Sequence, residues 1–96
     1  MKTLVIANDR RTADSIMRYY ALRELPILDA AARFAGYEAV AATQAYSILI
    51  GARPERIIIG GDYLRWHFGP EGEGRLTNLW RMIEASRLRG ARVVFN

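Results

Sequence analysis

Three short apolar runs, "TLVIA" (3–7), "RIIIG" (56–60) and "ARVVFN" (91–96), punctuate a chain whose remaining apolar residues recur mostly at helical spacing. The first run is bounded by Asn8 and Asp9 and reads as a buried strand. In "TADSIMRYYALR", Ala13, Ile16, Met17 and Tyr20 follow the i, i+3, i+4 rule, with Asp9 or Thr12 placed to cap the helix. Pro26 lacks an amide donor and must interrupt that helix. "PILDAAARFAG" then reads as a second helical segment, with Leu28, Ala31, Ala32 and Ala35 on one face. Asp29 and Arg33 would form an exposed i, i+4 pair, and Gly36 would stop the segment.

"YEAVAAT" (37–43) is a weaker strand candidate, since alanine is a poor strand former. Thr43 is placed to cap a short helix, "QAYSILIG", with Ala45, Ile48 and Leu49 inward. Three adjacent isoleucines at 57–59 are apolar on both faces, as an interior parallel strand requires. A helix from about Leu76 to Arg89 carries Leu76, Leu79, Trp80 and Ile83 as its inner stripe, and Gly90 ends it before the last strand. Strands alternating with helices predict a single α/β domain over residues 1–96. Its parallel sheet would have about four strands, ordered 2-1-3-4 or a close variant, with covering helices and right-handed crossovers.

Composition narrows the chemistry more than it selects one. Half of the 96 residues are hydrophobic and a quarter charged, as in ordinary globular chains. The absence of cysteine excludes disulfides, zinc-thiolate sites and thiol nucleophiles. No segment approaches the roughly 18 apolar residues of a membrane span, and the apolar start is too short for a signal peptide. A cytoplasmic protein without membrane partners is expected. The net charge of +4 is a mild attraction to polyanions. Lys2 is the only lysine beside thirteen arginines, a bias that fits a GC-rich genome.

In open α/β sheets, ligands bind beyond the carboxyl ends of the strands, near the reversal of strand order. That rule selects Asn8, Asp9, Arg10, Arg11 and Thr12 after the first strand, Thr43 after the second, Gly60, Gly61 and Asp62 after the third, and Asn96 after the fourth. Asp9 and Asp62 would face each other and could ligate a hard cation such as Mg²⁺, or each could simply cap a turn or helix. Arg10 and Arg11 at a helix start suit an anion, or a solvated turn.

The loop "GPEGEGR" (69–75) has the glycine spacing of a phosphate-binding loop. However, Arg75 stands at the lysine position and Leu76 at the hydroxyl position, Glu71 and Glu73 would repel phosphate, and no strand precedes it directly. As G-x-G-x-x-G it lacks its third glycine. No cofactor is therefore expected, and no catalytic residue is assigned. His67, the only histidine, has no nucleophile placed to partner it. Tyr63, Trp66, His67 and Phe68 crowd one short segment, and exposed aromatics beside arginine are the usual chemistry of interfaces. Arg75, Arg81, Arg87, Arg89 and Arg92 are opposed only by Glu84. They could track a nucleic-acid backbone or form a solvated face.

"TLVIANDRRTADSI", "TQAYSILIGARPERIIIGGDY" and "LRGARVVFN" together resemble small Rossmann-like proteins of unknown function from actinobacterial bacteriophages. The likeness spans most of the chain, and the insert around Pro26 departs from the shortest versions. It implies a Rossmann-like phage product acting in the host cytoplasm, and carries over no catalytic residue. The leading expectation is a non-enzymatic interaction module binding a host or phage protein, or itself as a homodimer. The alternatives are a nucleotide or nucleic-acid binder and a small Mg²⁺-dependent hydrolase built on Asp9 and Asp62.

Overall fold

A computed structural model describes residues 2–61 and 77–96. The elements run β1 (Thr3–Ala7), α1 (Arg10–Glu24), α2 (Ala30–Phe34), β2 (Tyr37–Ala41), α3 (Ala42–Gly51), β3 (Arg56–Ile59), α4 (Thr77–Leu88) and β4 (Arg92–Phe95). The strands form one sheet in the order β2-β1-β3-β4. All three pairings are parallel, with Val5 opposite Ala39 and Ile58, and Ile58 opposite Val94. This is the expected small Rossmann-like α/β architecture, and the triple-isoleucine strand lies inside the sheet.

Strand side chains alternate between faces, and the two faces carry separate cores. Val5, Ala7, Ala39 and Ile58 pack with Ala13 and Met17 of α1. Leu4, Ile6, Val40, Ile57 and Ile59 pack with Ala45 and Leu49 of α3 and with Leu79 and Ile83 of α4. The chain steps from β1 to β2 in one direction and from β2 to β3 and β4 in the other. Crossovers of one hand must then place α1 and the later helices on opposite faces, as they are. The reversal puts the switch point between β1 and β3.

The alanine-rich β2 forms because Ala39 and Val40 are buried, one in each core, and that packing outweighs weak strand propensity. At the end of α4, Gly90 adopts a left-handed φ of +105°. Its amide bonds to the Arg87 carbonyl at 3.0 Å and the Ala91 amide to the Ser86 carbonyl at 3.0 Å. This Schellman closure satisfies the last carbonyls and turns the chain into β4.

Three local expectations are corrected. The second helical segment spans only Ala30–Phe34, because the Asp29 side chain accepts from the Ala32 amide and fixes the helix start there. Asp29 is thus a cap and not the partner of Arg33. The Arg33 guanidinium instead donates to the carbonyls of Leu25 at 3.0 Å and Leu28 at 2.6 Å, closing the connection after α1. Leu28, Ala31, Ala32 and Ala35 are exposed, and Phe34 is the residue of α2 packed against the α1-side core. Finally, Thr43 caps nothing: α3 starts directly from β2 with Ala41 at the cap position and no side-chain cap bond.

Candidate functional site

Of the strand-end residues selected from the sequence, Asn8 to Thr12 follow β1 and Gly60 and Gly61 follow the adjacent β3, so these flank the switch point, and several are committed to local structure there. Asp9 is the N-cap of α1. One carboxylate oxygen accepts from the Thr12 amide at 2.8 Å and the other from the Thr12 hydroxyl at 3.0 Å. The amide bond, followed by the hydroxyl bond, holds the Asp9 carboxyl below its ordinary pKa. Both oxygens therefore already have donors, which is the capping role expected of aspartate at a helix start. Arg10 and Arg11 follow it in the first turn and are exposed.

Gly60 is a packing glycine. Its amide bonds to the Ile6 carbonyl at 2.8 Å, continuing the ladder beyond β3. A Cβ there would lie 2.1 Å from the Ile16 Cδ1 of α1, so glycine is what lets α1 approach. Gly61 turns the chain at φ +88°. Beyond it, Asp62, Tyr63, Trp66, His67, Phe68 and Arg75 lie outside the described residues, as does Leu76. Among the described residues, no three His, Cys, Asp or Glu side chains gather where they could hold a metal ion. Asn96, past β4, accepts from the Tyr20 hydroxyl at 3.3 Å.

The arginines of the C-terminal part do not form one row. Arg87 is paired with Glu84 at 2.9 Å. Arg81 and Arg89 are exposed. Arg92 opens β4 in register with Arg56, at the amino-terminal edge of the sheet.

That edge holds a polar cluster that strand-end reasoning did not select. In-register parallel pairing sets Tyr37, Thr3, Arg56 and Arg92 side by side on four adjacent strands. Glu24, the last residue of α1, comes down onto this row. Its carboxylate accepts from Arg56 Nη2 at 2.7 Å, Arg56 Nη1 at 2.9 Å and the Tyr37 hydroxyl at 2.6 Å. Arg56 Nε also donates to the Thr3 hydroxyl at 3.2 Å, and the guanidinium lies within 6 Å of the Tyr20 and Tyr37 ring centres. Only 14% of the Arg56 side chain is exposed, against 39% for Glu24.

The electrostatics follow the geometry. Hydrogen bonding from Arg56 lowers the Glu24 pKa, and the Arg92 charge adds to this. The Glu24 bond raises the Arg56 pKa. Burial, then the bond to Glu24, raises that of Tyr37. A cleft of about 800 Å³ opens beside the cluster, between the sheet edge and α2. The pairing of Glu24 with Arg56, 32 residues away, has no sequence signature; only the register of three strands brings it about.

Fold and site together define a small Rossmann-like α/β domain, with a capped switch point and a polar cleft at the opposite sheet edge. Comparison with protein-family models, curated proteins and solved structures gave no match. Among the described residues, no helix is long and apolar enough to cross a membrane.

Proposed function

We propose that this chain is a non-enzymatic interaction module that binds a host or phage protein, or a second copy of itself. The observation that carries the reading is the apolar surface at the elbow between α1 and α2. Leu22 and Leu28 are exposed there, and Ile27 is 95% exposed. Exposed aliphatic side chains grouped along a short stretch of surface are the usual mark of a contact site. The aromatic sequence from Tyr63 to Phe68 belongs to the same proposal on its composition. The capped Asp9 supports a binding role over a hydrolytic one.

The test compares the wild-type chain with Ile27→Asp/Leu28→Asp, in sedimentation across a hundredfold range of concentration and in affinity capture at near-physiological salt. A mass increase or a retained protein that the double variant loses, with its melting temperature unchanged, supports the proposal. A monomer that retains nothing, or retention indifferent to the substitutions, overturns it.

A second reading, nucleotide or nucleic-acid binding, is favoured by the exposed Arg10 and Arg11 beside the first amides of α1. Mobility shift of DNA and RNA that weakens with added salt and is lost in Arg10→Gln/Arg11→Gln would support it. Salt-independent binding would contradict it.

A further inference from the structure

The cleft at the amino-terminal edge combines two surfaces with different chemistry. Part of its lining is apolar: Leu25 after α1, Ala32 and Ala35 of the α2 segment, and the Tyr37 ring. The exposed Ala32 and Ala35, placed on one face by the sequence pattern, line this opening. Most of the rest of the lining is charged. Lys2, Arg56 and Arg92 line the cleft against two acids, Glu24 and Glu55. Arg56 is tied to Glu24, Tyr37 and Thr3, so its charge is largely spoken for.

Lys2 and Arg92 differ from it. Neither side chain has a hydrogen-bond or ion-pair partner among the described residues. The Lys2 stem runs beside Gly36, where an added Cβ would sit 3.9 Å from Lys2 Cδ. This places the stem next to the apolar part of the lining. Along the strand row, the Glu24–Arg56–Tyr37 cluster lies next to Arg92. Cavities of roughly 300–1,000 Å³ with an apolar lining and a few placed polar groups are the usual form of a small-molecule site, and this one is about 800 Å³.

We propose that the cleft binds a small organic anion with an apolar body: the carboxylate or phosphate head on Arg92, the body against Leu25, Ala32, Ala35 and Tyr37. A guanidinium meets either head through paired N–H donors, and the small α2 side chains leave room for the body. The proposal stands apart from the protein-contact reading, since the elbow residues Ile27 and Leu28 do not line the cleft.

The test is amide chemical-shift mapping on the full chain with four probes: 3-phenylpropionate, phenyl phosphate, the neutral 3-phenylpropanamide and inorganic phosphate. Saturable shifts at Gly36, Tyr37, Arg56 and Arg92 with one or both aromatic anions, and not with the amide, are expected. Which anion binds decides between a carboxylate and a phosphate head. Arg92→Gln should weaken binding roughly tenfold, the loss of one charge-assisted hydrogen bond. Arg18→Gln, an equal charge change on α1, should leave it unaltered. Ala32→Phe should block the site with charge unchanged. Shifts that never saturate, equal response to the amide, equal response to inorganic phosphate, or equal weakening by Arg18→Gln would each overturn the proposal.

Discussion

Replacing Glu24 by glutamine keeps the shape of the side chain and removes its charge. The amide retains one acceptor oxygen but turns an NH₂ group toward donors, where the carboxylate now accepts at 2.6, 2.7 and 2.9 Å. Arg56 is then left 14% exposed with its charge uncompensated. Breaking a fully buried pair costs about 3–5 kcal/mol, whereas exposed pairs contribute about 0–1 kcal/mol. Glu24 is 39% exposed, so water screens part of the interaction. The expected loss is about 1–2 kcal/mol, or roughly 5–15 °C in Tm for a domain of this size.

The pH dependence fixes the cause. The folded pKa of Glu24 lies below its unfolded value, because of the Arg56 hydrogen bonds. Its contribution is therefore complete above the unfolded value of about 4.3 and disappears as pH falls through the lowered folded value. Thermal unfolding followed by circular dichroism should show the full gap between wild type and Glu24→Gln at pH 7 and a gap that narrows steadily as the pH is lowered below about 4. Arg56→Met should cost less than Glu24→Gln, because the remaining carboxylate, 39% exposed, takes up water more readily than a guanidinium that is 14% exposed. Equal melting temperatures at pH 7, or a gap that does not narrow with acid, would refute the reasoning.

Asp9→Ala should lose about 1 kcal/mol of stability, the usual value of an N-cap, while Asp9→Asn keeps most of it; urea titration of both variants separates capping from any role for the charge. Gly60→Ala should cost about 1 kcal/mol, because the new Cβ must displace the Ile16 terminal methyl, and Ile16→Val in the same chain should restore most of the loss in the same titration. Gly90→Ala places a Cβ at φ +105° and should cost about 1–2 kcal/mol, with amide exchange speeding up first around the α4–β4 turn.

Where one residue's surroundings are local, the pattern of the chain was informative. Burial of Ile57, Ile58 and Ile59 follows from an apolar run with no polar face, and the Gly90 turn from a glycine just past a periodic stretch. The Ala13–Met17 stripe could be read because α1 buries one face only. Legibility failed where a side chain has two outlets. Asp29 and Arg33 have the spacing of an ion pair, yet a helix cap and three open carbonyls took them separately. Alanines do not distinguish a core face from the wall of a cleft, since they suit both. The Glu24–Arg56–Tyr37 cluster depends on strand register and on where α1 ends, and neither is encoded within any window of a few residues.

The central claim is that β3 lies between β1 and β4 with all three pointing the same way, since the switch point and the cleft both follow from it. Nuclear Overhauser contacts of the Ile58 backbone test it directly. The account predicts cross-strand contacts from Ile58 to both Val5 and Val94, with Ile57 meeting Leu4 and Val93 in the same sense. Contacts to one neighbour alone, or a register running in the opposite sense, would contradict it.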